Sequence, residues 1–152
     1  MLRPGFLLLL SCALLPIACT TTHPPELQVP NEASDKIIYP SPQTSPAVVK
    51  LLNEAHTAIE QGDYPRADVL LERTVRIEPR NPALWNYLAK LRLHEGHLQQ
   101  AMDLAAKSNV LAGDDNKLKA DNWRIIAHAR YQNGDMAGAS SAEQKADMLL
   151  NK

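Results

Sequence analysis

Cysteine is almost missing from this 152-residue chain: only Cys12 and Cys19 occur, both near its start. Beyond them no thiol is available, which excludes disulfides, thiolate catalysis and cysteine metal sites from the remainder. Basic clusters are missing too. No Lys/Arg run exceeds two residues and the formal net charge is −1. A nucleic-acid binder needs a basic stripe to displace counterions from phosphates, so that class is excluded. Charged residues make up 22% of the chain, and no apolar run reaches the roughly 20 residues that cross a bilayer. A polytopic membrane protein is therefore excluded, and the length suits one ordinary domain with extensions.

What the first residues do have is a short greasy run. Arg3 follows the initiator, and Phe6 to Leu15 is almost wholly apolar. That is the h-region of a secretory signal peptide. Small residues lead up to Cys19, which would stand at the new N-terminus after cleavage. An ordinary signal peptide with an incidental cysteine is the alternative. The stretch resembles the lipobox of bacterial lipoproteins: Ile17 and Ala18 suit the two positions before Cys19, although Pro16 stands where Leu is preferred. A second arrangement ending at Cys12 leaves only Gly5 to Leu10 as h-region, which is too short. The resemblance implies residues 1–18 as signal peptide and Cys19 as the residue carrying diacylglyceryl and palmitate chains. It also implies outer-membrane anchoring facing the periplasm, because Thr20 is no aspartate. Cleavage there would remove Arg3, leaving 15 Lys+Arg against 17 Asp+Glu, or −2.

Residues 19–47 form a linker. From Thr20 to Ala47 there are six of the eleven prolines, which fix φ and donate no N–H, so neither helix nor sheet persists. The reach is roughly 85 Å in extended polyproline geometry and about 30 Å as a coil. A small apolar patch, Ile37, Ile38 and Tyr39, is too small to bury itself. It could dock on the domain or on a partner.

From residue 48 the chain repeats. Gly62, Gly96 and Gly134 lie 34 and 38 residues apart, in "EQGDYPRA", "HEGHLQQA" and "QNGDMAGA". Five residues after each stands Ala67, Ala101 or Ala139; seven before each stands Ala55, Ala89 or Ala127. Eleven before stand Leu51, Trp85 and Trp123, and twelve after stand Thr74, Ser108 and Ala146. Apolar residues recur at helical spacing on both sides of each glycine, which stops the first helix of each pair. Undersized residues at matched positions let two helix axes approach closely. Pro79 and Gly113 end helices, while Asn81–Pro82 and Asp114 to Asn116 begin them. The spacing predicts an all-α fold of six helices at about 47–61, 65–78, 82–95, 98–111, 118–133 and 136–150. They pair as hairpins over about 48–81, 82–115 and 120–150, within a domain at 48–150. No capping helix follows, so the last helix must itself present a polar outer side.

These offsets resemble the tetratricopeptide repeat, which implies a solenoid of three helical hairpins with a concave face for a protein partner. By spacing, that face carries Leu52, His56 and Ile59, then Asn86, Lys90 and Leu93, then Arg124, His128 and Tyr131. Such a surface suits an extended peptide, including one with carboxylates; a solvated groove with binding on an edge or the convex side is the alternative. Chaperone-cofactor repeats of this family carry a lysine/asparagine clamp, and here Leu52 and His56 fill two of its slots.

Chemistry is sparse. In "HEGH" His94 and His97 are three apart with Gly96 between, not the four apart on one helix that zinc needs. Ser140 and Ser141 have no evident base, and Asp114 and Asp115 read as caps. Neither an enzyme nor a cofactor, metal or small-molecule substrate is expected. Anchor, tether and repeat together resemble the tetratricopeptide lipoproteins that activate bifunctional peptidoglycan synthases, the class A penicillin-binding proteins. Pilotin, pilus- or secretin-assembly lipoproteins and scaffolds for cell-wall hydrolases share the visible features. If Cys19 carries the anchor, Cys19→Ala abolishes incorporation of labelled palmitate and leaves the signal peptide attached. Labelled product from that variant would contradict the assignment.

Overall fold

A computed structural model describes residues 44–151, so the signal-peptide assignment, Cys19 and nearly all of the linker lie outside the described residues. The six helices are α1 (Pro46–Glu60), α2 (Tyr64–Ile77), α3 (Pro82–His94), α4 (Leu98–Leu111), α5 (Asn116–Gln132) and α6 (Met136–Leu150). Each consecutive pair packs as a hairpin, α1 with α2, α3 with α4 and α5 with α6.

The turns explain the period. Gly62, Gly96 and Gly134 take φ of 74°, 76° and 81°, a left-handed state that costs a side-chain-bearing residue dearly. In each turn the following N–H reaches back to the helix: Asp63 to Ala58, His97 to Arg92 and Asp135 to Arg130, at 2.8–2.9 Å. This is the Schellman closure, which satisfies carbonyls left over at a helix end. Asn81 caps α3 through Oδ1 and Asp115 caps α5, so α5 begins two residues earlier than the spacing predicts.

All nine matched small positions are at most 1% exposed: Ala55, Ala67 and Thr74, then Ala89, Ala101 and Ser108, then Ala127, Ala139 and Ala146. Two core clusters result. The first joins α1, α2 and α3 and is built from Leu52, Leu71, Leu84, Leu88 and Leu91 with Val48 and Val75. The second joins α3 to α6 and is mostly alanine with Ile125 and Ile126. Trp85 and Trp123 are half-buried, each with a lysine of its own hairpin over the ring: Lys107 at 3.5 Å and Lys145 at 4.4 Å. The outer side of α6 is less polar than expected, since Met136, Met148 and Leu150 are exposed beside Gln144 and Lys145.

The two hairpin junctions differ in chemistry. Between the second and third, Asn86 Nδ2 donates to Asn122 Oδ1 and to Asp121 Oδ2, both at 2.8 Å. Asn122 Nδ2 donates on to Ser108 Oγ (2.8 Å) and Asn109 Oδ1 (3.0 Å), and Ser108 Oγ donates to the Pro82 carbonyl. Buried amides of this kind hold only while every member is satisfied. At the first junction the equivalent positions are Leu52, Leu84 and Thr74, and Thr74 bonds only within its own helix, to the Leu71 carbonyl. There the polar tie is Arg92, which pairs with Asp68 (2.6 Å) and Glu72 (3.6 Å) of α2 and with Glu95 (2.8 Å). Burial lowers the Arg92 pKa, but the bonds to Glu95 and Asp68 outweigh it and leave it raised.

The chain enters the domain through a clasp. Ser45 N–H donates to Glu78 Oε1 (2.8 Å), while Asn81 Nδ2 donates to Glu78 Oε2 (3.0 Å) and Thr44 Oγ1 (3.1 Å). Burial pushes the Glu78 carboxyl up, but hydrogen bonds from Asn81 and Ser45 outweigh that and hold it below its ordinary value.

Two stability predictions follow from these bonds. Asn122→Ala strands the Asn86 and Ser108 partners and should cost about 2–4 kcal/mol in urea unfolding; an unchanged midpoint would remove the weld. Ionised Glu78 contributes stability above its unfolded-state pKa, and that contribution fades as pH falls through the lower folded value. The melting temperature of Glu78→Gln should therefore decline less than that of the parent between about pH 6 and pH 3. Parallel declines would show the clasp to be idle.

Candidate functional site: a cleft between the first and third helices

The leucine-built junction leaves α1 and α3 standing apart. Between them opens a cleft of about 530 Å³, lined by Leu52, His56 and Ile59 of α1, Tyr87, Lys90, Leu91 and His94 of α3, and Tyr64 and Leu71 of α2. Aliphatic and tyrosine surface covers the floor, and two histidines and a lysine stand at the rim. His56 Nε2 lies 3.0 Å from Glu60 Oε1, one turn along α1. The His94 ring leans on Tyr64 with centroids 4.5 Å apart, which fixes both rings at the mouth. A larger and more open hollow of about 720 Å³ lies along the outer edge of α1, lined by Lys50, Asn53, Glu54 and Arg66 among others. Its openness and charged lining make it a weaker grip for an apolar side chain than the cleft.

Of the nine residues assigned by spacing, four line the cleft: Leu52, His56, Ile59 and Lys90. Leu52 does so from the core, 8% exposed, and serves as floor and not as an anchor. Asn86 is 1% exposed and spends its amide on Asp121 and Asn122, so it holds two hairpins together and presents nothing outward. Leu93 packs against the second core. Arg124 turns to α6, where Glu143 (3.3 Å) and Asp147 (3.6 Å) receive it. His128 is half-buried and Tyr131 exposed, and neither belongs to the α1–α3 cleft.

Lys90 and Arg124, read from the sequence as cations for a partner's carboxylate, are both answered internally. Asp121 sits 3.0 Å from Lys90 Nζ, and Arg124 has its two acids on α6. The cleft therefore offers shape and apolar area more than charge. Lining residues that the spacing missed include Tyr64, Leu71, Tyr87, Leu91 and His94. Positions 87, 90, 91 and 94 form an i, i+3, i+4, i+7 stripe on α3, a signal that was present in the sequence. His94 faces Tyr64 while His97 approaches Glu95 (3.3 Å) instead. Among the described residues no group of three or more His, Cys, Asp or Glu is placed to hold a metal, and no helix is long and apolar enough to cross a membrane.

Residues 58–120 match the tetratricopeptide repeat family model. No curated protein sequence matches the chain. Among solved structures, the globular C-terminal domain of Pseudomonas aeruginosa LpoP is 38% identical, with 69% of this chain and 99% of that chain covered and a TM-score of 0.67. The N-terminal domain of stress-induced protein-1 from Caenorhabditis elegans is 17% identical over 74% and 91% of the two chains, TM-score 0.65. The second such domain of Spaghetti, bound to an HSP90 peptide, is 16% identical over 68% and 93%, TM-score 0.60. The latter two likenesses speak for the fold alone. A fold of this kind is a scaffold for protein interaction, and with 38% identity across nearly all of the LpoP domain, this chain belongs to the tetratricopeptide-repeat family.

Proposed function

We propose that the protein is an outer-membrane lipoprotein whose repeat domain faces the periplasm, docks on a class A penicillin-binding protein and activates it. The observation that carries this reading is the 38% identity over 99% of the LpoP globular domain. The lipobox-like "LLPIAC" and the proline-rich stretch after it agree with the same organisation. Fully extended, such a linker would span roughly 85 Å, which would let the domain act at a distance from its anchor. Activation requires that the domain bind the active state of the synthase more tightly than the resting one. The α1–α3 cleft is the gripping surface. A partner side chain seated on Leu52, Leu91 and Tyr87 would bury apolar area worth about 25 cal/mol per Å².

Ile59 and His94 stand exposed at the mouth of the cleft and can be changed without emptying the core. Added to a class A synthase, the protein should raise the rate of glycan polymerisation and cross-linking. Ile59→Asp with His94→Ala should weaken binding about tenfold, equal to roughly 1.4 kcal/mol, while leaving the melting temperature unchanged. No rate change on adding the parent protein would overturn the activator reading. Full activation by the double variant would remove the cleft but leave the activity.

A further inference from the structure

The outward face of α2 carries a charge pattern that the solenoid does not use. Arg66 and Arg73 on the helix and Arg80 just beyond its end recur every seven residues, with Val69, Arg76 and Ile77 between them. At about 100° per residue the five helical members fall within roughly a quarter to a third of the circumference. All six are exposed, Val69 by 68% and Ile77 by 46%. The acids α2 could have offered are drawn to Arg92 on α3, which takes both Asp68 and Glu72. Glu72 also answers Arg76 at 2.8 Å. Among the described residues no carboxylate lies within ion-pair distance of Arg66, Arg73 or Arg80.

The other hairpins show why this is unusual. The residue at the place of Arg73 is Lys107 in α4 and Lys145 in α6, and each lies over a tryptophan of its own hairpin. In the first hairpin the tryptophan slot holds Leu51, so Arg73 has no ring to cover. At the place of Arg66 stand Gln100 and Gly138. Folding thus explains Lys107 and Lys145 and leaves Arg73, their counterpart in the first hairpin, without a role.

We propose that this face of α2 is a docking strip for an acidic helical segment of a protein partner. Guanidinium forks match carboxylates in a fixed geometry, and a seven-residue recurrence is the spacing at which two helices laid along each other meet. Val69 and Ile77 supply an apolar seam eight residues apart. A lipid surface is the poorer fit, because two aliphatic residues and no aromatic give little to insert. Nucleic acid is poorer still against a chain of net charge −1. The strip is distinct from the cleft, and its test does not depend on any synthase.

The probe is a labelled three-heptad helical peptide with leucines on one face flanked by glutamates every seven residues, measured by anisotropy against the full chain in detergent. Binding should weaken with salt, shift amide resonances of α2, and fall about tenfold or more for Arg66→Glu with Arg73→Glu. The melting temperature of that variant should match the parent, and the cleft variant Ile59→Asp should bind as the parent does. Equal binding of a lysine-for-glutamate peptide, or undiminished binding by the arginine variant, would overturn the proposal. So would arginine-dependent retention on phosphatidylglycerol vesicles without binding of the acidic peptide.

Discussion

Everything in this domain depends on how closely two helices of a hairpin can approach. The nine undersized residues at matched positions, all essentially without exposure, set that distance. A leucine in place of Ala89 or Ala101 would force the axes apart and carry the neighbouring hairpin with them. Overpacking of that kind typically costs about 1–3 kcal/mol even where the backbone can shift. Because each hairpin stacks only on its neighbours, an error in one pair propagates as a change of pitch and not as a local bulge. The glycine turns serve the same constraint: a left-handed residue closes the first helix so that the second returns along it.

Given that frame, the chemistry of the two junctions decides where a partner can enter. Asn86, Asn122 and Ser108 join the second and third hairpins through directional bonds whose members have little freedom to slide. Leucine contacts at the first junction have no such directionality, and α1 and α3 are left separated by the cleft. Apolar surface that is not consumed by stacking is what a binding site on a solenoid is made from. The same substitution of leucine for asparagine thus changes a welded seam into an adaptable one. Arg92 limits how adaptable: by holding Asp68, Glu72 and Glu95 it ties α2 to α3 from the far side.

The fold was legible in the sequence because its signals repeat. Three glycines at nearly constant spacing, each flanked by alanine-sized residues at the same offsets, allow one reading of six helices, and their ends moved by no more than two residues. The candidate site was half legible, for a physical reason. Spacing along an ideal helix gives the direction of a side chain but not what stands opposite it. Asn86 points inward as the spacing requires, yet Asp121 and Asn122 lie there to receive it. Arg124 has acids four residues apart on α6, a pairing between helices that no single-helix periodicity contains. Tyr64 reaches the cleft from the start of α2, which the inner-helix rule leaves out altogether.

Charge in this protein is largely answered inside the stack, within hairpins and between neighbouring ones. Lys107 and Lys145 lie on tryptophan faces, Lys90 on Asp121, Arg124 on two acids, and Arg92 on three. A cation so placed contributes to the stack, and removing it exposes a ring or strands a carboxylate. Arg66 and Arg73 stand outside that arrangement, and at position 73 the cause is a single difference: leucine in place of tryptophan at position 51 removes the surface that a basic side chain there would have covered. Exposed arginines without partners add almost nothing to stability. Their presence on one face of one helix, where two β-branched side chains are also left in water, is a cost to the isolated domain. Folding supplies no return for it, whereas an acidic helix laid on that face would remove both the uncompensated charge and the wet aliphatic surface together.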